Sequence, residues 1–114
     1  MFAAPPDSLE VSARSTDIPV RWTESDNDEV FVDLALGDDS VSCTFDAHAD
    51  GGVIPGRLVR EVALAYLDAG SPECTFPTCM LFLSSIRRAE VRAGDYDVAL
   101  SHGVSGIRRV HVAE

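Results

Sequence analysis

The segment that decides the fold of this chain is FDAHADGGVIPGRLVREVALAY, residues Phe45–Tyr66. It runs from an alternating strand through a glycine-containing loop into an amphipathic helix. Pro55 suits the first helical position because its fixed φ angle is already close to the helical value. Apolar residues then recur at helical spacing as far as Leu67, and Gly70 is a suitable C-terminal stop. The spacing therefore predicts one helix from Pro55 to about Ala69, preceded by a loop that carries a histidine.

Strand patterns lie on both sides of this segment. Residues 47–54 are predicted to form a loop, because Gly51 and Gly52 permit backbone shapes that other residues avoid. The predicted strands are Asp17–Glu24, Val30–Leu36 and Ser40–Asp46 before the helix, and Thr78–Arg92, Asp95–Ser101 and Ile107–Ala113 after it. One long helix against a mostly antiparallel sheet is an α+β arrangement. Residues 1–16 are expected to form a loose arm, and residues 17–114 a single domain.

Composition limits the classes of function. The 114 residues carry a net charge of −10, and all nine cations are arginines because the chain contains no lysine. Twelve of the nineteen acidic residues lie in residues 1–55. Such a charge argues against nucleic-acid binding, which needs clustered positive charge. With no secretory signal and no apolar run long enough to span a bilayer, we expect a cytoplasmic protein that does not enter membranes.

The cysteines do not indicate a metal site. Their number is odd, and only Cys74 and Cys79 lie close together, with no histidine near them. Zinc sites usually show four ligands in more tightly spaced pairs. We therefore expect no metal, and reduced thiols that are mostly buried, including Cys43.

The residues around the helix start suit proton-transfer chemistry on a thioester. His48 can move protons near neutral pH, and Glu61 can act as a complementary acid. Asp50 adds a negative charge two residues from the histidine. Backbone N–H groups at a helix start, such as that of Gly56, can bind a carbonyl oxygen that is gaining negative charge.

This segment resembles the core of the 3-hydroxyacyl-acyl-carrier-protein dehydratases of the hot-dog fold. In that family a histidine loop precedes a Pro-Gly step, and an acidic residue follows six positions after the proline. Here Pro55–Leu58 matches the Pro-Gly step, Glu61 lies six residues after Pro55, and His48 matches the catalytic histidine. The family's glycine before the histidine is Ala47 here, and its Phe-Pro after it is Ala49-Asp50.

A second block, Leu83–Arg92 followed by Gly94-Asp95, is similar to the family's strand pattern Phe-x-x-Ile-x-x-Ala-x-Phe-Lys and its Pro-Gly-Asp turn. The two blocks occur in the family's order, and the resemblance extends from about Glu29 to Val112. The family would run one further strand beyond Glu114. The resemblance implies a hot-dog-like fold, in which a curved, mostly antiparallel sheet wraps one central helix.

The resemblance also implies an activity and partners. The reaction is dehydration of a 3-hydroxyacyl thioester to a trans-2-enoyl thioester, in fatty-acid or polyketide synthesis. Each site would be shared across a homodimer: His48 removes the α-proton, Glu61 of the other copy binds the hydroxyl, and Gly56 with Pro55 forms the oxyanion site. No cofactor is implied beyond the phosphopantetheine arm of the substrate. Arg87, Arg88 and Arg92 would bind the acyl carrier protein.

Simpler interpretations of the same residues remain open. His48 can be a solvent-facing loop histidine, and Glu61 can form an ordinary i, i+4 pair with Arg57 on a polar helix face. Arg87 and Arg88 are adjacent and would point to opposite faces of a strand. Two rival functions follow: a hot-dog protein of thioesterase or thioester-binding type, and a small acidic inhibitor that masks a basic partner through residues 24–50.

Overall fold

A computed structural model of the protein describes residues 2–23, 28–70, 78–94 and 96–113. Within these residues there is one α-helix, α1, which spans Gly56–Asp68. The strands are β1 (Phe2–Ala4), β2 (Ser8–Val11), β3 (Ile18–Trp22), β4 (Glu29–Leu36), β5 (Asp39–Asp46), β6 (Gly51–Ile54), β7 (Cys79–Ala93) and β8 (Tyr96–Val112). The expected α+β class is confirmed. No helix of the described residues is long and apolar enough to cross a membrane.

The strands in the described part of the chain form two sheets. The larger has five strands in the order β2-β8-β7-β4-β5, in which β2 runs parallel to β8 and all other pairs are antiparallel. The smaller has three strands in the order β1-β3-β6, all antiparallel. Strand β5 forms one edge of the larger sheet, and β2 forms the other.

Strict alternation along β4 separates two faces of the five-stranded sheet. Val30, Val32, Leu34 and Leu36 have no exposed surface, whereas the residues between them are half-buried. We call the face that carries these four residues the inner face. Helix α1 packs on it and contacts β5, β4 and β2. Because α1 contacts both edge strands, it spans the width of the sheet.

Glycine geometry explains the tight ends of two elements. The β4–β5 hairpin turns at Gly37 and Asp38, and Gly37 has a φ of 65°, the conformation that a type II′ turn requires at its first central position. At the end of α1, Gly70 has a φ of 60°, and its N–H donates to the carbonyl of Leu67. This is the left-handed helix end that the sequence predicts.

The loop predicted over residues 47–54 is only partly a loop, because Gly51–Ile54 forms strand β6 against β3. A Cβ on Gly51 would lie 2.6 Å from the carbonyl oxygen of Val20, and a Cβ on Gly52 would overlap the ring of Phe45. The two glycines therefore serve close backbone packing within a strand, a use of glycine that a turn signal does not distinguish.

The C-terminal region also differs from its prediction. The expected strands Asp95–Ser101 and Ile107–Ala113 are one strand, β8, that pairs with β7 along its whole length. Gly103 and Gly106 lie inside this pairing, opposite Ile86 and Leu83. Hydrogen bonds to a long partner strand keep both glycines extended, so neither produces a turn.

The N-terminal residues, expected to form a loose arm, contribute a strand to each sheet. Strand β1 pairs with β3, and β2 pairs with β8 at the sheet edge. Arg108 ties down this region: its guanidinium donates to the carbonyl of Pro5 at 2.9 Å and to that of Phe2 at 3.3 Å. These contacts are non-local, which is why local sequence patterns did not predict them.

Candidate functional site

The histidine loop is anchored at its start and open at its centre. Ala47 is fully buried; its N–H donates to the carbonyl of Asp28, and its carbonyl accepts a hydrogen bond from Trp22 Nε1 at 3.1 Å. The next residue, His48, has a side chain that is 66% exposed. Hydrogen bonds of Ala47 therefore hold the start of the loop, and an accessible imidazole follows two residues after strand β5.

The acidic partner of His48 is Asp46, not Asp50. One oxygen of the Asp46 carboxylate, Oδ1, accepts the backbone N–H of His48 at 2.9 Å and lies 3.0 Å from its Nδ1. These two hydrogen bonds with His48 lower the pKa of Asp46 below its ordinary value of 3.8. The carboxylate is thus ionised near neutral pH.

This pairing determines which ring nitrogen of His48 can react. An ionised carboxylate only accepts hydrogen bonds, so Nδ1 carries the proton that points at Asp46. In the neutral imidazole, Nε2 then has a free lone pair and points away from the carboxylate. The arrangement is that of a histidine oriented by a carboxylate, which is suited to accept a proton from a substrate.

The helix start is occupied by a carboxylate of this chain. Oδ1 of Asp17 accepts the N–H of Gly56 at 2.6 Å. Gly56 itself is buried, and a Cβ there would lie 2.8 Å from the backbone of Thr16. The N–H predicted to bind an oxyanion therefore holds Asp17, and a substrate oxygen would have to displace that side chain. Pro55, also predicted for this site, immediately precedes it and is half-buried.

Glu61 lies on the exposed side of α1, beside a cavity of about 310 Å³ between the helix and the start of β5. The cavity is lined by Asp39, Ser40, Val41, Leu58, Glu61, Val62 and Ala65. Its walls combine aliphatic side chains with the polar side chains of Asp39, Ser40 and Glu61. A ligand bound there would contact the Glu61 carboxylate.

The two predicted catalytic residues lie toward opposite ends of β5. His48 lies two residues after Asp46, the last residue of β5. The Glu61 cavity is lined by the first two residues of the same strand, Asp39 and Ser40. At about 3.3 Å per residue, the six steps from Ser40 to Asp46 span roughly 20 Å. Within a single chain, His48 and Glu61 are thus not brought to one substrate.

The predicted carrier-binding arginines lie on β7, in the part that pairs with β8. Arg87 and Arg88 pair with His102 and Ser101, and Arg92 pairs with Asp97. The structure describes their backbone but not their side chains. The guanidinium of Arg108, by contrast, donates hydrogen bonds to the carbonyls of Pro5 and Phe2 in the N-terminal region.

The cysteines differ from the expected set of reduced thiols. Cys79 is buried and disulfide-bonded, which corrects that expectation for this residue. Cys43 is a free thiol on the edge strand β5, and partial burial raises its pKa. Cys74 lies outside the described residues. Among the residues that the structure describes, no group of three or more histidine, cysteine or carboxylate side chains could hold a metal ion.

Sequence reasoning did not identify two residues of this region, Asp46 and Asp17. Asp46 had a local signal, because an aspartate commonly accepts the backbone N–H two residues further along the chain. Asp17 had none, since it is 39 residues from Gly56.

No protein-family model, curated protein or solved structure matches this chain. Fold and site geometry are therefore the observations that bear on its function.

Proposed function

We propose that this protein is a hot-dog-like dehydratase (a lyase) that converts 3-hydroxyacyl thioesters to trans-2-enoyl thioesters as a homodimer. The observation that carries the proposal is the position of His48, oriented by Asp46 at one end of β5, while the Glu61 cavity lies at the other end. Strand β5 is an edge strand with no further strand beside it among the described residues. The α+β arrangement, in which α1 packs across one face of a mostly antiparallel sheet, supports the hot-dog part of the proposal.

A second copy paired along β5 would complete the site. The N–H of Ala47 donates to the carbonyl of Asp28, the residue before β4. Because backbone groups alternate in direction along a strand, the odd-numbered residues of β5 direct their N–H and C=O groups toward β4. The even-numbered residues direct theirs to the open edge. Two β5 strands that pair antiparallel around Cys43 would place Ser42 opposite the partner's Thr44. The His48 loop would then adjoin the partner's Glu61 and its cavity.

In such a site the reaction needs one base and one group at the hydroxyl. Nε2 of His48 takes the proton from the α-carbon, and the electron pair of that C–H bond forms the double bond to the β-carbon. The carbon–oxygen bond at the β-carbon breaks with its electron pair on oxygen, and the partner's Glu61 carboxyl gives that oxygen a proton so that it leaves as water. The proton held on His48 then restores the Glu61 carboxyl. If the Gly56 N–H stabilises the thioester oxygen, the Asp17 carboxylate must first leave that N–H.

Arg87, Arg88 and Arg92 are the proposed contacts for an acyl carrier protein.

Enoyl-thioester formation, followed by ultraviolet absorbance, tests the proposal. We expect turnover of a short 3-hydroxyacyl thioester by the wild type and a loss of about 100-fold or more in His48→Ala, since a general base contributes roughly that much. His111→Ala is the matched control, because His111 is exposed on β8 outside this site. Equal turnover in all three proteins would place the reaction elsewhere. No turnover of free or carrier-bound substrate by the wild type would refute the dehydratase.

Two alternatives each have a supporting observation. A hot-dog protein of thioesterase or thioester-binding type is favoured by the altered Ala47–Asp50 loop and by the Asp17 carboxylate on Gly56. A small acidic inhibitor of a basic partner is favoured by the exposed carboxylates of Asp38, Asp39 and Asp46. Solution mass separates them, because the shared site requires a dimer whereas the inhibitor does not.

A cytoplasmic location is part of the proposal, and the disulfide at Cys79 opposes it. Disulfides persist mainly in oxidising compartments and are rare in the cytosol. Counting free thiols in protein that is alkylated at the moment of cell lysis tests the location. Three free thiols per chain would support the cytoplasm, and a single one would point to an oxidising compartment.

A further inference from the structure

The face of the five-stranded sheet opposite α1, which we call the outer face, carries an apolar cluster. Phe82 on β7 pairs directly with Ile107 on β8 and with Asp33 on β4, so these residues share one face. Phe31 lies two residues further along β4 on the same face. Ile107 is 48% exposed and the two phenylalanines are half-buried, whereas inner-face residues such as Leu34 and Leu81 have no exposure.

The packing elements that the structure describes lie on the inner face. Trp22 packs against Phe45, whose ring centroid is 5.9 Å away, and Phe45 is on the inner side of β5. Phe2 lies next to Gly106, which pairs with the inner-face residue Leu83. Within residues 2–23, 28–70, 78–94 and 96–113, no helix or second sheet covers Phe31, Phe82 and Ile107. Exposed apolar clusters of this kind usually mark interaction sites.

The charges around the cluster indicate the type of partner. Among the residues whose side chains the structure describes, alternation and register place one guanidinium on the outer face, that of Arg109, and four carboxylates, those of Glu10, Glu29, Asp33 and Asp46. A second copy on this face would bring two sets of carboxylates together, and each chain already has a net charge of −10. Like charges across an interface oppose association, whereas a cationic partner would be attracted.

We propose that the outer face docks a cationic amphipathic helix of a partner protein. The helix would lay its apolar stripe on Phe31, Phe82 and Ile107, with lysines or arginines beside the flanking carboxylates. A helix is the natural cover for a sheet face, because its apolar stripe matches the apolar rows that adjacent strands present. The apolar cluster of this face shares no residue with the proposed dehydratase site, although one flanking carboxylate, Asp46, also orients His48.

A fluorescent peptide of leucines and lysines, patterned as an amphipathic helix of about five turns, is the probe. Binding is measured by fluorescence anisotropy in low and high salt. We expect the wild type to bind this peptide, to bind it more weakly in high salt, and not to bind a peptide in which glutamates replace the lysines. Ile107→Glu should weaken binding by about tenfold or more, because it places a charge in the apolar centre.

Val53→Glu is the matched control, since Val53 is 46% exposed on the smaller sheet and the substitution adds the same charge. Equal weakening by both variants would mean attraction to net charge alone and would overturn the proposal. Absence of binding by the wild type would also overturn it. A fall in solution mass caused only by Ile107→Glu would show that a second copy occupies the face instead. None of these results depends on turnover, so the dehydratase and the docking face can fail separately.

Discussion

Asp46 is the residue on which the candidate site depends most. Its single Oδ1 oxygen accepts both the backbone N–H and the Nδ1 of His48. The backbone bond shapes the turn, and the ring bond orients the imidazole. The Asp46 carboxylate thus fixes both the turn of the loop and the proton on Nδ1 of His48. The ring nitrogen that remains able to accept a proton is Nε2.

The pH dependence of Asp46 follows from this geometry. Because hydrogen bonds with His48 lower its pKa in the folded protein, the ionised carboxylate stabilises the loop above the ordinary value of 3.8. That stabilisation is lost as the pH falls through the lower folded value. Carbon NMR of the carboxyl groups should show Asp46 titrating below 3.8 in the wild type, and at a higher pH in His48→Ala. The same midpoint in both proteins would contradict the pairing.

Helix α1 is an element whose start is stabilised from outside. It has no acidic residue in its first turn, and Pro55 offers no side-chain cap. Asp17 supplies the missing acceptor to the N–H of Gly56, and Arg60 donates to the carbonyl of Ser15 at 2.9 Å. The segment before β3 and the first turns of the helix therefore stabilise each other, with the negative carboxylate at the positive end of the helix dipole.

Removing this remote cap should destabilise the protein. Asp17→Ala is expected to lower the free energy of unfolding by about 1 kcal/mol, the usual cost of losing a capping carboxylate. Urea titration followed by circular dichroism measures the change. Asp7→Ala is the control: its exposed side chain lies 4.0 Å from Arg108, and exposed ion pairs of this kind contribute little. If both variants lost the same stability, the cap would have no specific role.

At the scale of the whole molecule, the open edge of β5 determines whether the proposed site can exist. Pairing around Cys43 would place the two Cys43 Cα atoms about 4.5–5.5 Å apart, within the range that a disulfide can bridge. In the single chain, the N–H of Thr44 points away from β4, toward the edge at which the second copy would pair. A disulfide between the two Cys43 residues should therefore trap the dimer, and a proline in place of Thr44 should prevent its formation.

Mild oxidation should yield a disulfide-linked dimer on a non-reducing gel, and Cys43→Ser should not form it. Because burial raises the pKa of Cys43, less thiolate is present near neutral pH, and the rate of cross-linking should rise as the pH is increased through the alkaline range. Thr44→Pro should abolish the dimer in solution yet keep the fold, since edge strands tolerate proline. A wild type that stays monomeric would exclude the shared site.

The sequence by itself determined the features that depend on near neighbours. Pro55 and Gly70 bound the helix because they act on their own backbone angles, and the alternation along β4 predicted a strand with one apolar face. Gly37 turns the chain between β4 and β5 for the same local reason, because glycine readily adopts its φ of 65°. The α+β class followed from these local patterns, and so did the placement of His48 in a loop.

Only the tertiary structure decided the contacts between distant segments. Gly51 and Gly52 are strand residues because β6 pairs with β3, and a Cβ at either position would collide with Val20 or Phe45. The N–H of Gly56 is occupied because Asp17, the residue before β3, lies beside it. The positions of His48 and Glu61 at opposite ends of β5 arise in the same way, from how the helix lies across the sheet. Local patterns do not specify such pairings, because each depends on where the other elements pack.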